Sequence, residues 1–140
     1  MLTLKKKGYR LSPETVDLLS QEFADSLTEA EADRKDILRL RLSLEEILES
    51  WSSALPGAPV TFCAKKRLGR QRIEIRVEGK ELQADDVLEN CLLSSRLLAQ
   101  AGLTLTQSYQ NGENCLTVEP PRKRKLGQMQ KLLLAIVSAV

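Results

Sequence analysis

Across Pro56-Gly57 the hydrophobic period of this chain changes from helical to alternating, and that switch constrains the fold more than any other feature. Before it, Val16, Leu19, Phe23 and Leu27 recur at three- and four-residue spacing, and so do Ile37, Leu40, Leu44, Ile47, Leu48 and Trp51. That spacing gathers apolar side chains along one stripe of a helix. After it, Val60, Phe62 and Ala64, then Ile73, Ile75 and Val77, alternate with mostly polar or small residues, as strands with one buried face do. Two amphipathic helices and a strand pair that each expose one apolar face can only be stable packed on one another.

Local signals place the ends. Ser12-Pro13-Glu14 supplies an N-cap, a proline at the first helical position and an acid at the positive end of the helix dipole, so the first helix spans about residues 13–27. Thr28-Glu29-Ala30-Glu31 fits a capping box and predicts the start of the second helix, which should stop before Pro56-Gly57. The tight "KRLGR" joins the first strand pair into a hairpin. Asp85 and Asp86 can cap a third helix with Val87, Leu88, Cys91, Leu92, Ser95 and Leu98 inward, ending at a left-handed cap on Gly102. "LTLTQSY" and "ENCLTVE" flank Asn111-Gly112, a strong two-residue hairpin turn. With a short N-terminal strand candidate, the order is strand, two helices, two strands, helix, two strands. It predicts an α+β two-layer sandwich, a mixed or antiparallel sheet covered on one face by about three helices. No repeat or low-complexity tract interrupts it, and Pro120-Pro121 closes the last strand.

Charge divides the chain at the same point. All 19 acidic residues but only 16 of the 21 basic ones lie in residues 1–121, whereas Arg122, Lys123, Arg124, Lys125 and Lys131 face no acid in the tail. A mildly acidic folded part argues against nucleic acid as a general partner. The chain has no histidine, which excludes Ser/His/Asp and Cys/His catalysis, a phospho-accepting histidine and a histidine-rich metal site. Cys63, Cys91 and Cys115 are too widely spaced for a Cys-x-x-Cys clip and odd in number, so they read as free thiols in a reducing compartment.

Chemistry has one candidate stretch, "LRLSLEEILESW", where Glu45, Glu46 and Glu49 decorate a helix whose other face is apolar. Carboxylates so placed can act as a general base or hold a metal, although a solvated acidic helix face is the commoner outcome. Together with the closing hairpin "YQNGENCLTVEPP" and the order of elements, this stretch resembles the histidine kinase-like ATPase fold, in its compact anti-sigma-factor-like form, over residues 1–119. The resemblance implies a nucleotide site in which Glu46 would polarise the attacking water and Ser50 would take the place of a magnesium-ligating asparagine. Glu78 and Gly79 of "VEGKEL" would take the place of the turn that reads the adenine amine. Several parts of that site are altered: serine is a shorter and poorer oxygen ligand than asparagine, glutamate adds a methylene, and the few residues between Gly79 and Asp85 leave no room for an ATP lid or a glycine-rich phosphate loop. The expectation is a degenerate, non-catalytic member with no required cofactor and no metal; an active ATP- and magnesium-dependent kinase of the anti-sigma type is the alternative.

The tail adds a second expectation. Met129, Leu132, Leu133, Ile136, Val137 and Val140 form a helical stripe, but Leu134, Ala135, Ser138 and Ala139 make the segment apolar or small all round, as a membrane helix is and an amphipathic one is not. The basic cluster Arg122–Lys125 precedes it, where the positive-inside rule puts the cytoplasmic flank. "PPRKRKLGQMQKLLLAIVSAV" resembles the entry to the first membrane helix of bacterial sodium:dicarboxylate symporters with an N-terminal extension. That implies a domain over 1–119, a juxtamembrane linker over 120–131 and the start of a membrane span over 132–140, at the cytoplasmic face of the cell membrane, with a transporter in the same polypeptide. The rival is a soluble domain whose C-terminal apolar helix docks on its own sheet or makes a homodimer.

Overall fold

A computed structural model describes residues 2–82, 103 and 105–120. Over these residues the chain runs β1 (Leu2–Arg10), α1 (Pro13–Glu29), α2 (Arg34–Ala54), β2 (Pro59–Arg67), β3 (Arg70–Glu78), β4 (Leu105–Gln110) and β5 (Glu113–Val118). The expected third helix, with Cys91 and Gly102, the basic cluster Arg122–Lys125 and the apolar C-terminal helix lie outside the described residues.

The fold is α+β, a five-stranded sheet in the order β1-β2-β3-β5-β4 with every neighbouring pair antiparallel. Val60, Phe62, Ala64, Ile73, Ile75, Val77, Leu116 and Val118 share one face and join the stripes of α1 and α2 in a single core. Both helices therefore lie on that face. Trp51 is fully buried there, as its place on the α2 stripe requires. Alternation puts Cys63, Glu74, Cys115 and Thr117 on the opposite face.

The first helix starts as its sequence dictates. Ser12 Oγ accepts from the Thr15 amide at 3.3 Å and Thr15 Oγ1 accepts from the Ser12 amide at 2.8 Å, a complete capping box with Pro13 in the first turn. The second helix does not start at Thr28. Thr28 belongs to α1, where its Oγ1 donates to the Ala24 carbonyl at 2.9 Å, and α2 opens after Asp33, which makes no side-chain cap. "TEAEA" instead closes α1: the amides of Glu31 and Ala32 donate to the carbonyls of Thr28 and Leu27, both at 3.0 Å, with Glu31 left-handed at φ 63°. This is a Schellman cap. Its apolar contact, Ala32 packed against the core near Leu27, is available only once the helices fold back on the sheet, so tertiary packing decides which helix end the segment serves.

Both tight hairpins use a left-handed pair, Leu68-Gly69 (φ 51° and 79°) between β2 and β3 and Asn111-Gly112 (φ 55° and 75°) between β4 and β5. Left-handed pairs match the twist of the flanking strands.

Candidate functional site

Glu46 and Ser50 lie one turn apart on α2, both away from its buried stripe. Glu46 is half-buried, and its Oε2 is enclosed without a hydrogen-bond partner among the described residues; Ser43 Oγ, one turn earlier, is enclosed in the same way. Ser50 is exposed. Glu45, next to Glu46, ties the helices together: its Oε1 accepts from Ser20 Oγ at 2.8 Å and from Arg41 Nε at 3.1 Å. Of the three helix acids, only Glu49 is an exposed carboxylate.

Glu78, the last residue of β3, and Gly79 after it lie at a separate hollow of about 470 Å³, lined also by Ala58, Pro59, Asn111, Gly112 and Glu113. Neither Glu46 nor Ser50 lines it. The Gly79 amide donates to the Gly112 carbonyl at 3.0 Å, so the end of β3 is fastened to the far hairpin turn. At φ 144° Gly79 has a conformation that L side chains rarely adopt, and a Cβ here would meet Leu55 Cδ1 at 2.8 Å. The residues that follow are strapped to the sheet. Tyr109 Oη donates to the Gly79 carbonyl, Asn114 Nδ2 donates to the Lys80 carbonyl, and Asn114 Oδ1 accepts from the Leu82 amide, each at 2.8 Å. Gln107 Nε2 donates to the Leu82 carbonyl.

The opposite face of the sheet carries a charge cluster that the strand pattern alone did not single out. Glu74, only 4% exposed, sits between Arg76 Nη2 at 2.8 Å, Arg72 Nε at 2.9 Å and Lys65 Nζ at 3.4 Å. Burial would raise its carboxyl, but the charges of Arg76, Lys65 and Arg72 and the Arg76 hydrogen bond outweigh it and hold the group below the usual carboxylate range. The same balance operates between α1 and β1, where hydrogen bonds from Lys5 and Lys7 outweigh the burial of Glu22. Burial raises the Cys115 thiol, so it is a poor thiolate. Cys63 and Cys115 are both free.

Beyond Glu74 toward the β2–β3 turn, the run from Lys65 to Arg72 holds Lys65, Lys66, Arg67, Arg70 and Arg72 and no acid. A hollow of about 340 Å³ lies among Lys65, Arg67, Leu68, Arg70, Gln71, Arg72 and Glu119. The signal for it was in the sequence, as an acid-free basic run inside an acidic domain, but hairpin periodicity drew attention to its alternate residues instead. No grouping of acids and cysteines that could hold a metal occurs among the described residues, and none of the described helices is long and apolar enough to cross a membrane. No family model matches this chain, and no curated protein matches it in sequence.

Proposed function

We propose that this chain is a non-catalytic regulatory and interaction domain of the histidine kinase-like ATPase type, held at the cytoplasmic face of a membrane by residues 122–140 and tethered to a secondary transporter of the dicarboxylate or amino acid:cation symporter type. The observation that carries the non-catalytic part is the strap over residues 79–82. In a nucleotide site of this kind, the turn after the third strand must present polar groups to a base. Here the carbonyls of Gly79, Lys80 and Leu82 and the amide of Leu82 are bonded to Tyr109, Asn114 and Gln107 of the same sheet.

The residues present do not fit magnesium-bound ATP. Ser50 offers a short hydroxyl one turn from Glu46, while Glu78 lies in a hollow that neither residue lines. That separation, with the shortened hydroxyl, supports the reading without a complete magnesium-ATP site. The rival, an active ATP-binding kinase domain, is favoured by Glu46 Oε2, enclosed without a hydrogen-bond partner among the described residues. Calorimetric titration of the full chain with magnesium-ATP separates the two readings. The proposal expects no saturable heat at millimolar nucleotide; micromolar binding that disappears in Glu46→Gln would establish the rival.

A further inference from the structure

The two tight hairpins share a backbone geometry but not a chemistry. At Asn111-Gly112 the first residue is asparagine, whose side chain tolerates the left-handed conformation; at Leu68-Gly69 the same position, at φ 51°, is leucine. Leucine costs local stability in this conformation, and Leu68 is 84% exposed. A bulky apolar residue that is both strained and presented to solvent calls for a role outside the fold.

Its surroundings define that role. Lys66, Arg67 and Arg70 flank the turn, and no carboxylate pairs with them among the described residues; Lys65 and Arg72 follow on the strands and both pair with Glu74, Arg72 also reaching Glu119 at 3.9 Å. Leu2 pairs with Lys66 across the sheet and is 64% exposed, and Leu4, at the irregularity in β1 between Thr3 and Lys5, is 45% exposed. One end of the sheet thus presents three separate leucines among five cations, on a domain whose residues 1–121 are acidic overall.

We infer that this end of the sheet docks on an anionic phospholipid surface, with Leu68 at the tip of the β2–β3 hairpin entering the interface and Lys66, Arg67 and Arg70 meeting headgroup phosphates. Charge complementarity selects an anionic partner, because each cation near such a surface adds to binding. The leucines select lipid among anionic partners: Leu2, Leu4 and Leu68 are each exposed, so each can enter a fluid interface. A single-stranded nucleic acid would be met by aromatic platforms. The tyrosines are not at this end: Tyr9 pairs with Val60 at the far end of β1, and Tyr109 bonds to Gly79. The inference concerns the hairpin and holds whether or not residues 132–140 enter a membrane.

The test must distinguish the hairpin from the basic tail in the full chain. Leu68→Trp places an indole at the tip, and its emission is read as the difference from the parent chain, whose Trp51 is buried. With vesicles of phosphatidylglycerol and phosphatidylcholine, the introduced indole should shift to the blue and be quenched by brominated lipid; phosphatidylcholine alone should do neither. Leu68→Asn restores the favoured turn pair. It should raise the melting temperature while weakening vesicle binding at least fivefold, a combination that a merely structural leucine would not give. The triple variant K66E/R67E/R70E should weaken it further. An indole that stays water-exposed while the chain sediments with anionic vesicles would assign binding to the tail and overturn the proposal. Vesicle binding unchanged in the triple variant, with loss of binding to single-stranded RNA, would overturn it in favour of nucleic acid.

Discussion

Asn114 is fully buried on β5 and holds Lys80 by its backbone, Nδ2 donating to the carbonyl oxygen at 2.8 Å across 34 residues of chain. With the bond from the Leu82 amide to Asn114 Oδ1, one side chain fixes the path by which the chain leaves β3. A buried carboxamide in a core position costs free energy unless its donor and acceptor are both matched, and here both are.

Asn114→Ala should therefore destabilise the protein by about 2–3 kcal/mol, since it strands a carbonyl and an amide as well as leaving a small void. Asn114→Asp keeps the volume and the acceptor but loses the donor to Lys80, and should also destabilise. Urea denaturation of both variants measures the difference. An alanine variant as stable as the parent would show that the 79–82 strap is not held from β5.

Stability should fall in acid, partly through Glu74. Arg76, Lys65 and Arg72 outweigh burial and lower its pKa in the folded state, so the carboxylate contributes stability that is complete above its unfolded pKa of about 4.3 and is lost as pH falls through the lower, folded value. Glu74→Gln should be less stable than the parent at pH 7, by roughly 1–3 kcal/mol for the lost charged hydrogen bonds. The two should converge as pH drops below about 4. Denaturation midpoints across that range check the sign; parallel curves would mean that Glu74 titrates alike in both states.

If residues 122–140 serve the membrane, a chain ending at Pro121 should melt at nearly the parent temperature and be markedly more soluble. The alternative, in which Leu132, Leu133, Ile136, Val137 and Val140 dock into the core, is energetically distinct. Each such side chain, fully buried, is worth about 1.5–3 kcal/mol, so losing all of them would exceed most of a small domain's stability. Thermal melts of the two chains in dilute detergent decide, and unfolding of the shorter one would remove the support for a membrane tail.

The amino-acid sequence by itself determined the local faces. Helical spacing from Val16 to Trp51 and alternation from Val60 to Val77 named the residues that now share one core, and Ser12-Pro13, "KRLGR" and Asn111-Gly112 placed a helix start and two turns, because each depends only on backbone preferences a few residues long. Tertiary structure decided what those preferences left degenerate. "TEAEA" can open one helix or close another, and the packing of Ala32 beside Leu27 makes it a closing cap. Neither hairpin reveals that β5, not β4, pairs with β3. That pairing brings Asn114 over Lys80 and Leu82, and it sets Thr117 and Cys115 beside the Glu74 and Arg76 ion pair. Glu46, Ser50, Glu78 and Gly79 were legible as residue types, but whether they meet depends on distances between α2 and the end of β3, and these are set by helix-to-sheet packing and long-range strand pairing rather than by any local signal.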